Sequence, residues 1–324
     1  PIVLQNILQP VTANLEPHHH VRLIEFVFYS LIFFFGALFN ILAFWVFLCK
    51  MKKWTEIRVY VINLVFADFS VICTLPSMVY LLWNKSARGE LCQFTEAMYL
   101  INMLVSIYII SFISVDRYIA IKHPLKARSF RSPAKAALLC GLLWVLVITI
   151  ATVQLRQRHA ALCFQTEPPE YAALSLMAIF FFFTLPLAIL TFCSAEVIRN
   201  LKKHLNTNSP EEKSIQKAMH IIYANLIVFL ICFLPAYLGL LARFVMETSS
   251  LLSGVTTFLK ISACLANCNC CLDAFCYYFA AKEFPEFSSM FPKSRKNTSE
   301  TAQRAFKNIF GSRILFWNFA SHCL

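Results

Sequence analysis

Apolar residues gather into seven stretches, and polar or basic segments separate them. Each stretch is long enough to cross about 30 Å of hydrocarbon as a helix. Alternation of apolar and polar residues is weak and glycine-rich turns are few, which argues against a β-barrel. The pattern therefore predicts an all-α protein, a seven-transmembrane helix bundle with helices at roughly residues 26–49, 59–83, 91–121, 136–155, 171–198, 218–243 and 251–279.

The two ends of the chain differ from the bundle in composition. Residues 1–25 are polar and mixed, and we predict that they form an extracellular segment before the bundle of residues 26–279. Residues 280–291 are predicted to form a short amphipathic helix on the membrane surface. The remainder, residues 292–324, is rich in Ser, Thr, Lys and Arg and is expected to be a disordered cytoplasmic tail.

The composition also favours a membrane protein. Of the 324 residues, 59% are hydrophobic and only 14% are charged, which is too apolar for an ordinary soluble domain. The net charge of +12 could indicate nucleic-acid binding, but most of the 29 Lys and Arg residues fall on one side of the predicted bundle. This bias is the positive-inside signal. We therefore predict a multi-pass plasma-membrane protein with an extracellular N-terminus, a cytoplasmic C-terminus, lipid partners and no nucleic-acid partner.

The third stretch carries the residues that suggest a family. It has no charge over residues 97–115 and then ends in Asp116, Arg117 and Tyr118. An acid and a base are costly in hydrocarbon, so they should lie at the water-facing end of the helix. Cys92 precedes Arg117 by a length of helix that spans roughly 37 Å, and should therefore lie at the opposite face of the membrane.

The motif Asp116-Arg117-Tyr118, together with this cysteine, resembles the third helix of the rhodopsin-like family of G-protein-coupled receptors. Three longer segments resemble a branch of that family that responds to acidic small molecules and lysophospholipids: AFWVFLCKMKKWTEIRVYVINLVFAD, DRYIAIKHPLKARSFRSPAKAA and NCNCCLDAFCYYFAAKEF. The resemblance implies a receptor for an anionic small-molecule or lipid ligand that signals through a heterotrimeric G protein of the Gi or G12/13 class, with arrestin as a further partner.

A sodium site in the middle of the bundle follows from the same resemblance. A carboxylate in the middle of an apolar span is costly and marks a functional site by default, and Asp68 matches the family's sodium-binding position. The predicted ligands offer two carboxylates and three neutral oxygens, which suit a hard cation: Asp68, Asn102, Ser106, Asn269 and Asp273. The alternatives are a protonated Asp68 bonded to Asn40, or interhelical hydrogen bonds without an ion. We expect no obligatory cofactor beside this allosteric sodium ion.

The resemblance also implies which residues serve activation and G-protein coupling. These are Asp116, Arg117, Tyr118, Phe229, Phe233, Pro235, Asp273 and Tyr277. Pro235 should kink the sixth helix, whose inner end is the expected moving part. Three positions depart from the family pattern: Phe233 replaces a tryptophan, Ser194 a tyrosine and Ala274 a proline.

Candidate ligand-binding residues lie toward the extracellular side. Tyr99 and Met103 are one turn apart on the third helix, and the branch has an arginine where this chain has Met103. Four basic residues accompany them: Arg156, Arg158, Arg243 and Lys260. Solvated charges are the ordinary interpretation, but a positive vestibule would steer anionic ligands.

Two covalent features are expected on the same side. Cys92 and Cys163 both fall in the oxidising compartment, and the family implies that they are joined in a disulfide. Asn84 begins a glycosylation sequon with Lys85 and Ser86.

Other functions fit the sequence less well. A transporter usually shows repeated halves and broken helices, and neither is visible. An enzyme is disfavoured because no nucleophile, acid and base converge at one depth. A ligand-scavenging receptor without G-protein signalling is a closer alternative, because Ser194, Phe233 and Ala274 change the activation pattern.

Overall fold

The computed structural model describes residues 16–50, 54–84, 89–123, 125, 127, 131–157, 163, 177–203, 210–245 and 249–283, which contain helices and no strand. The α-helices are α1 Glu16–Trp45, α2 Glu56–Trp83, α3 Glu90–Lys122, α4 Pro133–Gln157, α5 Leu185–Lys203, α6 Pro210–Val245, α7 Ser249–Asn267 and α8 Asn269–Glu283. Seven segments of this part of the chain are long and apolar enough to cross a membrane, and α7 and α8 together form the seventh. The predicted fold class is confirmed.

The helix ends differ from the predicted spans mainly at polar residues. The α1 helix begins at Glu16, ten residues before its predicted start, and α6 begins at Pro210 rather than at residue 218. Hydropathy marks only the part of a helix inside hydrocarbon, so polar extensions escape it. The α8 helix ends at Glu283. The predicted segments at residues 1–15, 284–291 and 292–324 lie outside the described residues.

The seventh span is interrupted at Cys268, between α7 and α8. The amide of Cys268 is shared between the carbonyl oxygens of Cys264, at 3.3 Å, and Leu265, at 3.0 Å. The shorter of these bonds is the tight three-residue type, which interrupts a regular α-helix. This interruption forms without the proline that Ala274 replaces in the family pattern.

The core of the bundle forms around α3, which packs against α2, α4 and α5. One apolar cluster joins α1 to α4 around Val61, Leu64 and Ile109. A second joins α3, α5 and α6 around Ile107 and Phe229. Other large apolar side chains remain exposed along the outside of the helices, as expected for a bundle surrounded by lipid.

A π-helical turn at Phe180–Thr184 precedes α5. Such a turn leaves carbonyl groups without their regular helical partner. The hydroxyl of Tyr108 on α3 donates to the carbonyl of Phe181 at 2.9 Å, and the hydroxyl of Thr184 donates to that of Tyr237 on α6 at 3.2 Å. This part of the fifth span is thus held by α3 on one side and by α6 on the other.

Candidate functional site

The two ends of the bundle can be named by the residues they carry. The disulfide end contains Cys92 and Cys163, whose Cα atoms are 5.8 Å apart and whose sulfur atoms are bonded, as the resemblance implies. The DRY end is the opposite one and contains Asp116-Arg117-Tyr118. A carboxylate oxygen of Glu96 lies within 4.8 Å of both sulfur atoms, but sulfurs joined in a disulfide are not thiolate ligands for a metal.

Two of the predicted basic ligand-binding residues end their helices at the disulfide end. Arg156 is exposed in the last turn of α4, and Arg243 is half-buried in the last turn of α6. Arg158 lies outside the described residues. The structure therefore places Arg156 and Arg243 at the same mouth of the bundle, on two different helices.

Lys260 lies on α7 and is exposed. Its neighbours Phe258 and Leu259 pack against α6 at Gly239, and Cys264 packs in a cluster with residues of α1. The ammonium group of Lys260 is therefore outside the packed core of the bundle.

Tyr99 and Met103 line the interior one turn apart on α3. Both are half-buried. Tyr99 packs against a cluster that includes Tyr29 of α1, and Met103 contacts the clusters on both sides of α3. Phe233 of α6 belongs to the second of these clusters. Tyr99, Met103 and Phe233 thus give this part of the interior an aromatic and apolar surface. The basic residues Arg156 and Arg243 lie nearer the disulfide end.

The five predicted sodium ligands form a buried polar cluster in the middle of the bundle. The amide of Asn102 donates to Asp68 Oδ1 at 3.1 Å, and the amide of Asn269 donates to Asp273 Oδ2 at 2.8 Å. Asp68 and Ser106 are completely buried, and none of the five is more than 6% exposed. The structure therefore brings together side chains from α2, α3 and α8 that are far apart in the sequence.

Several oxygen atoms of this central cluster accept no hydrogen bond from the described residues. They are Asp68 Oδ2, Ser106 Oγ and Asn269 Oδ1. A buried polar atom without a partner costs about 1–3 kcal/mol. These oxygens, one of them from a carboxyl group, are of the type that a hard cation such as sodium prefers.

Asn40 does not pair with Asp68. Its amide donates to the carbonyl oxygens of Gly36, at 2.9 Å, and Cys270, at 2.8 Å. The hydrogen bond proposed for a protonated Asp68 is therefore absent among the described residues. Asn40 instead ties α1 to α8 beside the cluster.

A network of ion pairs lies at the DRY end. Arg131 holds Asp116 through two hydrogen bonds, Nε to Oδ1 at 2.8 Å and Nη2 to Oδ2 at 2.9 Å. Its Nη2 also donates to Glu56 Oε2 on α2 at 3.1 Å. The three side chains are at most 14% exposed. The pKa of Arg131 is above its ordinary value, because burial, which lowers it, is outweighed by the hydrogen bond and charge of Asp116 and by Glu56.

The other two residues of the motif face different surroundings. Arg117 is buried, 9% exposed, and Tyr277 of α8 is buried at the same end of the bundle. Tyr118 is half-buried, and its ring centroid lies 5.8 Å from those of His123 and Phe192. The motif is thus split, with Asp116 tied to the Arg131 network, Arg117 in the interior and Tyr118 packed between α3 and α5.

The aromatic pair of α6 lies in the interior, in the apolar cluster that joins α3, α5 and α6. Phe229 and Phe233 are each 2% exposed, and their ring centroids are 5.1 Å apart. Pro235 is half-buried, and α6 continues through it to Val245. These residues are positioned where a displacement of α6 would repack the apolar cluster against α3.

Sequence reasoning missed the ion-pair network that holds Asp116. Glu56 and Arg131 were not predicted, since both lie near polar segments whose folded path the hydrophobic pattern does not give. It also missed Glu196 on α5, which pairs with Lys122 of α3 and with Arg199. These ion pairs tie three helices and one connecting segment together at the DRY end.

Asn84 lies exposed just after α2. Its side-chain amide donates to the carbonyl of Tyr80 at 3.0 Å. Ser86, the third residue of the sequon, lies outside the described residues. Glycosylation of Asn84 stays a prediction.

Comparison with known proteins gives a family. Residues 39–277 match the family described as 7 transmembrane receptor (rhodopsin family). The chain is 39% identical to G-protein coupled receptor 35 of Homo sapiens over 274 residues, which cover 83% of this chain and 88% of the relative. It is 31% identical to the N-arachidonyl glycine receptor of Homo sapiens over 87% of this chain and 88% of the relative. It is 30% identical to lysophosphatidic acid receptor 6 of Gallus gallus over 78% of this chain and 88% of the relative.

These findings agree with the geometry. The match runs from residue 39, within the first membrane segment, to Tyr277, and the relatives are receptors rather than enzymes. Seven apolar helices, the disulfide at one end and the motif at the other occur together in one chain. The chain is a multi-pass membrane protein and belongs to the rhodopsin family of seven-transmembrane receptors.

Proposed function

We propose that the chain is a plasma-membrane receptor for an acidic small molecule or a lysophospholipid-like ligand, and that it signals through heterotrimeric G proteins. The observation that carries this proposal is that two relatives are named for ligands of one chemical kind. N-arachidonyl glycine and lysophosphatidic acid each join a hydrocarbon chain to an acidic group. A receptor of related sequence with basic residues at one mouth suits a ligand of that kind.

The disulfide end offers both parts of such a site. Arg243 and Lys260, with Arg156 and the neighbouring Arg158, supply positive charge for an acidic group. Tyr99 and Met103 supply an aromatic and apolar wall for the hydrocarbon part. Met103 cannot form an ion pair, so the acidic group is expected nearer the mouth than the middle of the bundle.

Activation is proposed to work through α6. A ligand that binds better when the DRY end of α6 has moved outward shifts the population toward that arrangement. Phe229 and Phe233 repack in the process, and Pro235 marks the bend. Arg117, which is buried here, becomes accessible to the G protein of the Gi or G12/13 class, and arrestin is the expected second partner.

The proposal includes orientation and an ion. The N-terminus and the disulfide end face the outside of the cell, and the DRY end faces the cytoplasm, as the distribution of basic residues favours. A sodium ion bound by Asp68, Ser106 and Asn269, with Asn102 and Asp273 around them, would supply the positive charge that the central cluster lacks. It would stabilise the resting arrangement if that arrangement binds it more tightly.

The experiment measures nucleotide exchange on purified G proteins of each class with the receptor in lipid nanodiscs. Lysophosphatidic acid, N-arachidonyl glycine and aromatic carboxylic acids are added separately, and at least one should increase exchange. Arg243→Gln and Lys260→Gln should each raise the ligand concentration needed for half-maximal exchange by roughly fivefold or more, as expected for a lost ionic hydrogen bond. Lys135→Gln, which removes an exposed base at the DRY end of α4, is the matched control and should not change it.

The opposite results have clear meanings. Exchange that no ligand increases, with no basal exchange on any G-protein class, would exclude signalling. Ligand uptake by cells without exchange would support the scavenging alternative, which the departures at Ser194, Phe233 and Ala274 favour. Ligand flux into sealed proteoliposomes would instead indicate a transporter.

A further inference from the structure

A groove between α5 and α6 at the DRY end serves none of the roles described so far. Its cavity has a volume of about 390 Å³. Residues of both helices line it: Ala195, Ile198, Arg199, Lys202, Tyr223 and Leu226. The groove is therefore distinct from the ligand pocket at the disulfide end and from the central cluster.

The groove opens toward the membrane side of the bundle. Ala195 and Lys202 are exposed, Tyr223 is 38% exposed, and the Arg199 side chain is 67% exposed. Ile198 is buried and forms part of an apolar floor. An exposed face of a membrane-spanning helix is turned to lipid, so the occupant of this groove meets hydrocarbon along its floor.

The rim of the groove lies at headgroup depth and is basic. Arg199 and Lys202 are in the last turns of α5, which ends at Lys203. Glu196 pairs with Arg199, but it pairs with Lys122 as well, so among the side chains that the structure describes here one acid opposes three bases. The rim therefore keeps a net positive charge. Tyr223, on the facing helix, is of the aromatic type that is enriched at the membrane interface.

We propose that this groove binds an anionic phospholipid of the leaflet at the DRY end. Its phosphate group lies between Arg199 and Lys202, and an acyl chain follows Ile198 and Leu226 on the floor. The proposal rests on the orientation given under the proposed function, since the cytoplasmic leaflet is the one rich in anionic lipid. A soluble phosphate compound would gain the charge contacts but not the apolar ones, which favours the lipid.

The test uses the full chain in nanodiscs of phosphatidylcholine, with and without phosphatidylinositol 4,5-bisphosphate, and native mass spectrometry counts the bound anionic lipid. The wild type should retain this lipid. The double variant Arg199→Gln, Lys202→Gln should bind it roughly fivefold to thirtyfold more weakly, since each basic residue near an anionic surface contributes about fivefold. Ala195→Trp, which keeps every charge but fills the groove, should weaken it by a similar factor.

The control separates this groove from general attraction to a basic surface. Lys135→Gln removes an exposed base at the same end of the bundle but on α4, and it should leave lipid binding unchanged. Equal losses in Lys135→Gln and the double variant, or unchanged binding in Ala195→Trp, would overturn the proposal. Equally tight binding of soluble inositol trisphosphate would show that the occupant is a free anion, and would overturn it too.

Each result bears on the groove alone. Ala195 is exposed, so its tryptophan variant should fold, and it decides the question even if the double variant is not recovered. Gel filtration and circular dichroism check that each variant is folded. Lipid binding is measured without ligand or G protein, so a failure of signalling and a failure of this proposal remain distinguishable.

Discussion

Two groups of buried acids, the central cluster and the DRY-end network, are compensated in different ways. At the DRY end, both oxygens of Asp116 accept hydrogen bonds from Arg131, which also reaches Glu56. In the central cluster, Asp68 accepts one amide hydrogen bond from Asn102, and its second oxygen has no partner among the described residues. Asp116 is thus paired with a fixed base, whereas Asp68 has one oxygen without a hydrogen-bond partner in the described part of the chain.

Depth in the membrane explains the difference. Asp116 lies near the end of α3, where an arginine from the connecting segment can reach it, and the amide of Arg131 is itself held by the carbonyl of Ala127 at 2.9 Å. Asp68 lies in the middle of α2, where a fixed base would be costly in the same hydrocarbon. The Arg131 network is therefore a fixed tie, whereas Asp68 keeps one oxygen without a hydrogen-bond partner among the described residues.

The largest expected effect comes from breaking the tie. Arg131→Ala leaves Asp116 and Glu56 buried without their shared base, and removing one partner of a buried ion pair costs about 3 kcal/mol. We expect a clear fall in the thermal unfolding temperature of the purified receptor. Basal nucleotide exchange should rise, because Asp116 no longer anchors the end of α3 to the segment before α4.

A conservative variant sharpens this prediction. Arg131→Lys keeps the charge but cannot form the two parallel hydrogen bonds to Asp116, so it should recover only part of the lost stability. Full recovery would show that charge alone matters and that the bidentate geometry does not. An unchanged unfolding temperature in Arg131→Ala would contradict the comparison itself.

Much of this arrangement could be predicted from the sequence. The hydrophobic pattern gave the seven spans, and the resemblance gave the disulfide and the five residues of the central cluster, because spans and motifs are local in the sequence. Arg131 as the partner of Asp116 could not be predicted, since the path of the segment between α3 and α4 decides which base arrives. The interruption of the seventh span at Cys268 could not be predicted either, because the residue that marks it is an ordinary apolar one.

The next prediction compares the same substitution, Asp to Asn, at Asp116 and at Asp68, and the change in stability should differ in sign. Asp116→Asn replaces two charge-assisted hydrogen bonds by weaker ones and should destabilise the receptor by about 1–2 kcal/mol. Asp68→Asn removes an acid that has no fixed base and is close enough to Asp273 for the two carboxyl groups to interact electrostatically. In sodium-free buffer it should leave the unfolding temperature unchanged or raise it.

Sodium should act on only one of the two sites. An ion that binds the folded receptor stabilises it by up to about 2.7 kcal/mol at one hundred times its dissociation constant. We expect sodium chloride to raise the unfolding temperature of the wild type and of Asp116→Asn, relative to choline chloride at the same ionic strength. The increase should vanish in Asp68→Asn. A wild-type receptor that responded equally to both salts would argue against a specific ion in the central cluster.

The smallest effect belongs to Ser106, whose hydroxyl oxygen is completely buried and has no hydrogen-bond partner among the described residues. Ser106→Ala removes no hydrogen bond, so sodium-free stability should change by less than about 0.5 kcal/mol. Sodium affinity, measured from the salt dependence of unfolding, should fall by roughly fivefold, the equivalent of about 1 kcal/mol. Ser111 is the matched control, a buried serine on the same helix whose hydroxyl donates to the carbonyl of Ile107 at 2.8 Å. Ser111→Ala should leave sodium affinity unchanged, and equal sodium responses in the two variants would remove Ser106 from the ion site while leaving Asp68 in it.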